Sequence, residues 1–178
     1  MDVALLKTRP AKLSIAGLTY TPLKPLGRGT YGLVWLYTSM AKTLGQRSFV
    51  AAKIFNPGPR SREAAEREAN VLRIVEHPHV VPLVALLYDQ QCGGEPRDVL
   101  CLAYCQEGSS CGGRFWESLA MAMLEAAFGL GHIHACGFTH NDVAPKNILE
   151  SGSGIVQVSD CGSALLIHEG ALEHPPGM

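Results

Sequence analysis

The chain reads as an α+β fold in two lobes: a five-stranded antiparallel sheet carrying one helix, followed by a partial helical lobe. Three observations point there. Apolar and polar residues alternate through the first half in runs bounded by Gly, Pro and Asn, which is the pattern of half-buried strands. A single segment with helical spacing, Arg62–Val75, interrupts those runs. The second half opens on the longest amphipathic stretch, about Trp116 to His134, before returning to short strands.

From Leu18 to Tyr37 the alternation flanks Gly27-Arg28-Gly29-Thr30-Tyr31-Gly32, predicting two antiparallel strands joined by a glycine-rich turn. Thr38–Ser48 is polar and reads as a long hairpin loop, and Phe49–Phe55 is a third strand by its aromatic and β-branched content. Asn56-Pro57-Gly58-Pro59 ends that strand, and Ser61 is the expected N-cap of the helix, whose Ala65, Ala69, Leu72 and Val75 share one face. Val80–Tyr88 and Val99–Tyr104 are two further strands around a turn-rich segment, Asp89–Asp98. Gln106–Gly113 has linker composition and marks the boundary between the lobes. On the long helix Leu119, Met123, Ala126, Ala127 and Leu130 form the expected apolar stripe, with Cys136-Gly137 as its stop. A hairpin from Ile148 to Val158, turning at Ser151-Gly152-Ser153-Gly154, precedes a Pro-Gly tail. The expected units are an extension at 1–19, a first lobe and hinge at 20–105, a second lobe at 106–166 and a tail at 167–178.

Hydrophobic residues make up 47% and charged residues 17% of the 178, the composition of a domain with a core. Fifteen Lys and Arg against 16 Asp and Glu leave no broad basic field for nucleic acid or anionic membrane, and no apolar run approaches a membrane span. Met1–Pro10 lacks the pattern of a secretory signal, so a cytoplasmic or nuclear location is expected. Cys92, Cys101, Cys105, Cys111, Cys136 and Cys161 show neither C-x-x-C pairs nor zinc spacing and read as reduced thiols.

The residues that carry chemistry cluster late in the chain. His140-Asn141-Asp142-Val143-Ala144-Pro145-Lys146-Asn147 puts a carboxylate and an amide in one loop, and Asp160 follows across a short hairpin. Phosphoryl transfer needs a proton acceptor and metal ligands within reach of one substrate, so Asp142, Asn147 and Asp160 are candidates, with Lys146 as a cation for developing phosphate charge. The bland alternative is a turn-forming Asn/Asp pair and an unrelated Asp-x-Gly turn. Lys53 lies in an apolar strand, where a buried ammonium needs a carboxylate. Glu68 is the best partner, with Glu63 and Glu66 competing; the alternative is a Lys53 that snorkels to water. Glycines between two strands leave N–H groups to close over phosphates, yet a plain tight hairpin uses the same residues.

In this order the motifs resemble those of the eukaryotic protein kinase family over residues 20 to 166. Gly27–Val34 resembles its glycine-rich loop, Val50-Ala51-Ala52-Lys53 its V-A-x-K strand, Glu68 its helix glutamate and His77-Pro78-His79-Val80-Val81 its H-P-N-I-V segment. Leu102-Ala103-Tyr104-Cys105 resembles the gatekeeper and hinge, and Asp160-Cys161-Gly162 the D-F-G triplet. The resemblance implies a two-lobed kinase fold and an ATP site built from Leu26, Gly27, Arg28, Gly29, Thr30, Tyr31, Gly32, Val34, Ala51, Lys53, Leu102, Ala103, Tyr104, Cys105 and Leu149. It implies Asp142 as the catalytic base, Lys146, Lys53 and Glu68 as catalytic partners, and Asn147 and Asp160 as Mg²⁺ ligands. The hydrophobic spines would pass through Val34, Ala51 and Leu149, and through Leu72, Leu83 and His140.

Departures qualify the match. Asn141 replaces the H-R-D arginine that docks a phosphorylated loop, implying independence from such phosphorylation. Cys161 replaces the D-F-G phenylalanine, and Ala144 with Lys146 is closer to the A-A-R-N loop of tyrosine kinases, leaving Ser/Thr against Tyr open. No A-P-E segment follows Gly162, so a truncated domain with exposed apolar surface on the long helix is expected. The function implied is transfer of the ATP γ-phosphate to a hydroxyl of a protein substrate. A nucleotide-binding or interaction module without catalysis is the alternative, and a small-molecule phosphotransferase would share the loop.

Overall fold

The structure, a computed structural model, describes residues 9–29, 31–40, 47–109 and 116–167. Its first lobe is a six-stranded sheet in the order β1-β2-β3-β4-β6-β5. The strands are β1 (Leu13–Ile15), β2 (Leu18–Gly29), β3 (Gly32–Met40), β4 (Arg47–Phe55), β5 (Leu83–Cys92) and β6 (Glu95–Ala103), with helix α1 (Pro59–Ile74) between β4 and β5. Every neighbouring pair is antiparallel. The five expected strands are present, and β1 adds a sixth from the segment expected to be an extension.

The period of two along each strand sorts the sheet into two faces. Val50, Ala52 and Ile54 of β4 join Trp35, Tyr37, Val99 and Cys101 on one face, where Leu13 and Ile15 of β1 cover them. The Tyr37 hydroxyl donates to the Ala11 carbonyl at 3.0 Å and the Arg9 guanidinium to the Pro22 carbonyl, fastening the β1 segment down. Ala51, Lys53 and Phe55 point to the other face, toward α1, and Phe55 and Leu100 pack there with Ala65, Ala69, Leu72 and Val75.

Helix α1 begins before the expected Ser61 cap. Gly58 occupies the N-cap at φ 118° and Pro59 the first turn, where its missing N–H costs nothing. Arg62 bonds Asp98 at 2.8 Å and Asp89 at 2.6 Å, pinning the start of α1 to the β5–β6 hairpin. That hairpin extends through residues expected to be a loop and turns at Gly93 and Gly94, both at positive φ.

The second lobe contains α2 (Trp116–Ala135) and the short strands β7 (Gly108–Ser109), β8 (Phe138–Thr139), β9 (Ile148–Glu150), β10 (Val156–Val158) and β11 (Leu165–Leu166). Strands β10, β9 and β7 form one sheet, while β8 pairs with β11. The expected stripe on α2 is wrong in part. Ala122, Ala126 and Ile133 are its buried core residues, whereas Met123 is 40% exposed and Ala127 lies on the surface. A close approach explains the choice: a Cβ on Gly129 would lie 2.2 Å from the His79 carbonyl oxygen. Only the small-residue face can sit that near. Met121, Leu124 and Phe128 stand exposed, in line with the apolar surface expected on this helix. Among the described residues no helix is long and apolar enough to cross a membrane. Thr30, Cys111 and the tail from 168 lie outside the described residues.

Gly129→Ala should therefore destabilise the chain by about 1–3 kcal/mol, the usual cost of overpacking. Gly131→Ala, with open space at its Cβ, should be neutral or stabilising by up to about 1 kcal/mol. Urea unfolding of the two variants checks the contrast, and equal effects would contradict it.

Candidate active site

A buried ion cluster joins the lobes. The β4 register places Lys53 opposite Val34 and Leu100, on the α1 side of the sheet. Its Nζ lies 2.7 Å from Glu68 Oε2 and 3.0 Å from Asp160 Oδ1. Of the competing carboxylates, Glu63 faces solvent and Glu66 makes no ion pair with Lys53, while Glu68 is buried. Burial opposes the charge on Lys53, but the carboxylates of Glu68 and Asp160 outweigh it and hold its pKa above the ordinary value. Burial pushes Glu68 up despite the pull of Lys53, and its Oε1 has no hydrogen-bond partner.

Asp160 adopts a left-handed conformation, φ 62° and ψ 62°, at the head of a 3-10 turn, Cys161–Ser163. A Cβ on Gly162 would come within 3.0 Å of Glu68 Oε2, 3.3 Å of Asp160 Oδ1 and 3.4 Å of Lys53 Nζ. Glycine lets the turn close on the ion cluster. Cys161 is buried beneath it, and burial, aided by the nearby carboxylates, pushes its thiol up to about 12. The side chain is an inert filler at neutral pH.

The loop before β9 gathers the other polar residues. His140 is buried, its Nε2 2.9 Å from the Ser159 carbonyl and its Nδ1 accepting from the Asp142 N–H at 3.2 Å. Asn147 donates through Nδ2 to the Asp142 carbonyl at 2.8 Å and to Oδ2 at 2.9 Å. Lys146 Nζ lies 3.1 Å from the same Oδ2. Hydrogen bonds from Lys146 and Asn147 hold the Asp142 carboxyl below the usual carboxylate range. Asp142 is thus ionised and oriented at neutral pH.

Ser159 is a residue that sequence reasoning missed. Its N–H and hydroxyl both donate to the Asn147 carbonyl, at 2.8 and 3.1 Å, and its own carbonyl holds His140. One residue therefore sets Asn147, His140 and the approach to Asp160. A serine between the end of a short strand and an Asp was the available signal.

The residues expected around a nucleotide fall along the β2–β3 hairpin, the hinge and β9. Leu26 and Tyr31 are 39% and 38% exposed at the hairpin, where Gly27, Arg28 and Gly29 also face solvent. Gly27 pairs with Val34, and Gly29 with Gly32. Gly32 is buried so closely on β4 that a Cβ would lie 1.9 Å from the Ile54 carbonyl oxygen. Ala51 pairs with Leu102 and Val50 with Ala103, bringing β4 beside the hinge. The Ala103 N–H is committed to the Pro82 carbonyl at 3.0 Å. Tyr104 is half-buried beside Phe49, and Cys105 reaches Gln157 Oε1 at 3.6 Å. Leu149 pairs with Gln157 and Ser109, under the hinge segment.

Asn147 spends its amide nitrogen on Asp142, which frees Oδ1, and Asp160 keeps a carboxylate side chain 42% exposed beside Lys53. Two hard oxygen donors of this kind fit Mg²⁺, which retains several waters and binds through few protein ligands. Among the described residues there is no cluster of three or more His, Cys, Asp or Glu for a closed metal site.

The protein kinase domain profile matches residues 20–176. The serine/threonine-protein kinase TOS3 of Saccharomyces cerevisiae is 29% identical over 190 residues, covering 89% of this chain and 33% of that protein. Protein kinase gsk3 of Schizosaccharomyces pombe is 30% identical over 169 residues, 86% of this chain and 41% of its own length. The inhibitor of nuclear factor kappa-B kinase subunit epsilon of Mus musculus is 31% identical over 154 residues, 78% of this chain and 20% of its own. The chain thus spans well under half the length of the curated relatives it matches. With the profile spanning nearly all of it, and the ion cluster and loop arranged as described, the chain belongs to the protein kinase domain family.

Proposed function

We propose that the chain carries the catalytic centre of a protein kinase that transfers the γ-phosphate of ATP to Ser or Thr hydroxyls of a protein substrate. The single observation behind this reading is the Asp142 carboxylate, fixed by Asn147 and Lys146 and ionised at neutral pH, in the lobe whose Asp160 meets Lys53 and Glu68 of the other. Names of Ser/Thr kinases among the relatives favour those acceptors over Tyr. The free thiols of Cys92, Cys101, Cys105, Cys136 and Cys161 support a reducing, cytoplasmic setting.

Asp142 Oδ1, left by the bonds that Oδ2 accepts, takes the proton of the attacking hydroxyl as its oxygen turns nucleophilic. Lys146, on the same loop, offsets charge gathering on the transferred group. Lys53, oriented by Glu68, binds the α- and β-phosphates when they replace part of its contact with Asp160. Asn147 and Asp160 would hold Mg²⁺, which when bound neutralises phosphate charge and fixes the phosphate chain. The β2–β3 hairpin covers the phosphates with backbone N–H groups, and the hinge carbonyl of Ala103 faces the adenine edge.

Asp142→Asn should lower transfer from labelled ATP to a mixed Ser/Thr peptide library by about 10²–10⁴-fold, the range for a lost general base. Nucleotide-induced thermal stabilisation should persist in that variant. If the unmodified chain gains stability from ATP and Mg²⁺ but transfers no more than Asp142→Asn does, it is a binding module.

Lys146→Ala gives a pH test. Lys146 depresses the Asp142 pKa, so its removal lets that pKa rise toward the ordinary value of about 3.9. The base form exists only above the pKa, so the acid limb of kcat/KM should move to higher pH, by less than about one unit for an exposed pair. An acid limb that stays put or moves lower would remove Lys146 from this role.

A further inference from the structure

Three histidine rings meet where the loop between α1 and β5 rests on α2, away from the residues of phosphoryl transfer. His77 and His132 stack, centroids 4.6 Å apart with planes at 19°, and His79 lies 5.5 Å from His77 and 6.1 Å from Phe128. Hydrogen-bond partners fix two of the protons. The His79 N–H donates to His77 Nδ1 at 3.2 Å, so that nitrogen is bare. The Val156 carbonyl, 2.9 Å from His79 Nδ1, can only accept, so His79 Nδ1 carries hydrogen.

The same loop grips β10. The Val158 N–H donates to the His79 carbonyl and the Val81 N–H to the Val158 carbonyl, each at 2.9 Å. Gln157 Nε2 donates to the Pro78 carbonyl, also at 2.9 Å. Glu125 Oε2 on α2 accepts from the Val156 N–H at 2.8 Å. Strand β10 then runs through Ser159 directly into Asp160. Residues 77–81 and Glu125 thus hold the strand that presents Asp160 to Lys53.

We propose that His79 is a positioning residue for Asp160, and that the stacked His77 and His132 make its clamp on β10 sensitive to pH, closed with neutral rings and loosened by their protonation. The positioning half rests on the reading of Asp160 as a metal ligand; the clamp itself does not. A proton on His77 Nδ1 would set two donors, that nitrogen and the His79 N–H, against each other. It would also place a cation face to face with His132. The titratable groups around the pair, among the described residues, are Glu76 and His79 on the loop and Glu125, His132 and Cys136 on α2; β10 offers main chain and Gln157. Cys136 Sγ lies 3.5 Å from His132 Nε2 and reaches the Ile74 carbonyl at 3.8 Å, so it supplies no counter-charge as a thiol. Glu125 Oε2 lies 3.6 Å from His79 Nδ1 and already accepts from the Val156 N–H, so the switch is assigned to the His77–His132 pair.

Burial, with His132 and His79 beside it, lowers the pKa of His77. An opened loop returns it toward about 6.5, so the open form takes the proton more readily. The advantage of the closed clamp is complete above that value and is lost as pH falls through the lower one.

Amide hydrogen exchange of the segment 156–160 in the intact chain, without nucleotide and corrected for intrinsic rates, tests this. Between about pH 7.5 and about pH 5.5 the unmodified chain should lose severalfold in protection, at most about tenfold for an open-loop value of about 6.5. His132→Phe keeps a flat ring in the stack and removes a charge, so its loss should be no more than about threefold. His77→Asn, which keeps an acceptor for the His79 N–H, makes the same comparison should His132→Phe not fold. Equal acid losses in the unmodified chain and variant overturn the clamp. For positioning, His79→Phe should raise the Mg²⁺ concentration that half-saturates nucleotide-induced stabilisation by about tenfold, with His79→Asn, whose amide can still donate to Val156, recovering part of it. An unchanged Mg²⁺ dependence removes His79 from that role. Exchange needs neither ATP nor turnover, so a chain that transfers no phosphate yet shows the acid loss defeats the proposed activity and leaves the clamp standing.

Discussion

A lysine ammonium inside an apolar strand dictates much of this molecule. Lys53 cannot stay charged on the α1 face of the sheet without carboxylates, and the two it finds come from different lobes. Glu68 ties α1 to the sheet, and Asp160 ties the end of β10 to both. Removing one partner from a buried pair costs about 3–5 kcal/mol, more than a typical surface ion pair contributes. The charge therefore constrains the register of β4, the rotation of α1 and the path of the chain after β10. It also leaves a cost in place: burial raises Glu68 and strands its Oε1 without a partner. Phosphates entering beside Lys53 would meet a cation already desolvated and aimed.

The approach distances behind that cluster are set by glycines at two places. At Gly162 any side chain would press on Glu68, Asp160 and Lys53 together; at Gly129 it would strike the His79 carbonyl. The first lets the turn after Asp160 close on the ion cluster, and the second lets α2 seat the loop that carries β10. Between them Ser159 links the Asn147 carbonyl to the His140 ring. The polar residues of the second lobe's loop are thus held by a few short bonds to main-chain groups.

The candidate site was more legible than its supports. Asp142, Asn147 and Asp160 stand out because proton transfer and metal ligation demand those residue types, and chain order narrows the choice further. Lys53 and Glu68 were readable because a buried charge needs a partner, although only the fold separates Glu68 from Glu63 and Glu66. Strand β1 was not readable: three residues, Leu13–Ile15, give too short an alternation, and the turn that follows puts Ala16, a residue without special freedom, at φ 48°. The start of α1 was misread because a hydroxyl at Ser61 is a stronger local signal than a Gly-Pro pair. The face of α2 was misread because periodicity weighs Met123 above Gly129, whereas the contact selects for closeness. The histidine joint could not be seen at all, since His132 is brought to His77 only by folding.

Two of the departures from the family pattern, Asn141 and Cys161, look different once the turn after Asp160 is in view. Asn141 sits at φ 60°, where asparagine is better tolerated than most residues with longer side chains. Its Nδ2 donates to the Ser163 carbonyl at 3.3 Å, a tether from the His140–Asn147 loop to the far end of the turn that Asp160 begins. Beyond it Leu165 pairs with Thr139 and the Ile167 N–H donates to the Gly137 carbonyl at 2.7 Å, so the chain is carried back along β8. Cys161, smaller than the phenylalanine of the family motif, is buried beside the carboxylates of Glu68 and Asp160. A docking arginine holds its loop by charge, and only when a phosphate is present. Here neutral hydrogen bonds and strand pairing hold the segment from 163 to 167, and neither depends on a modification.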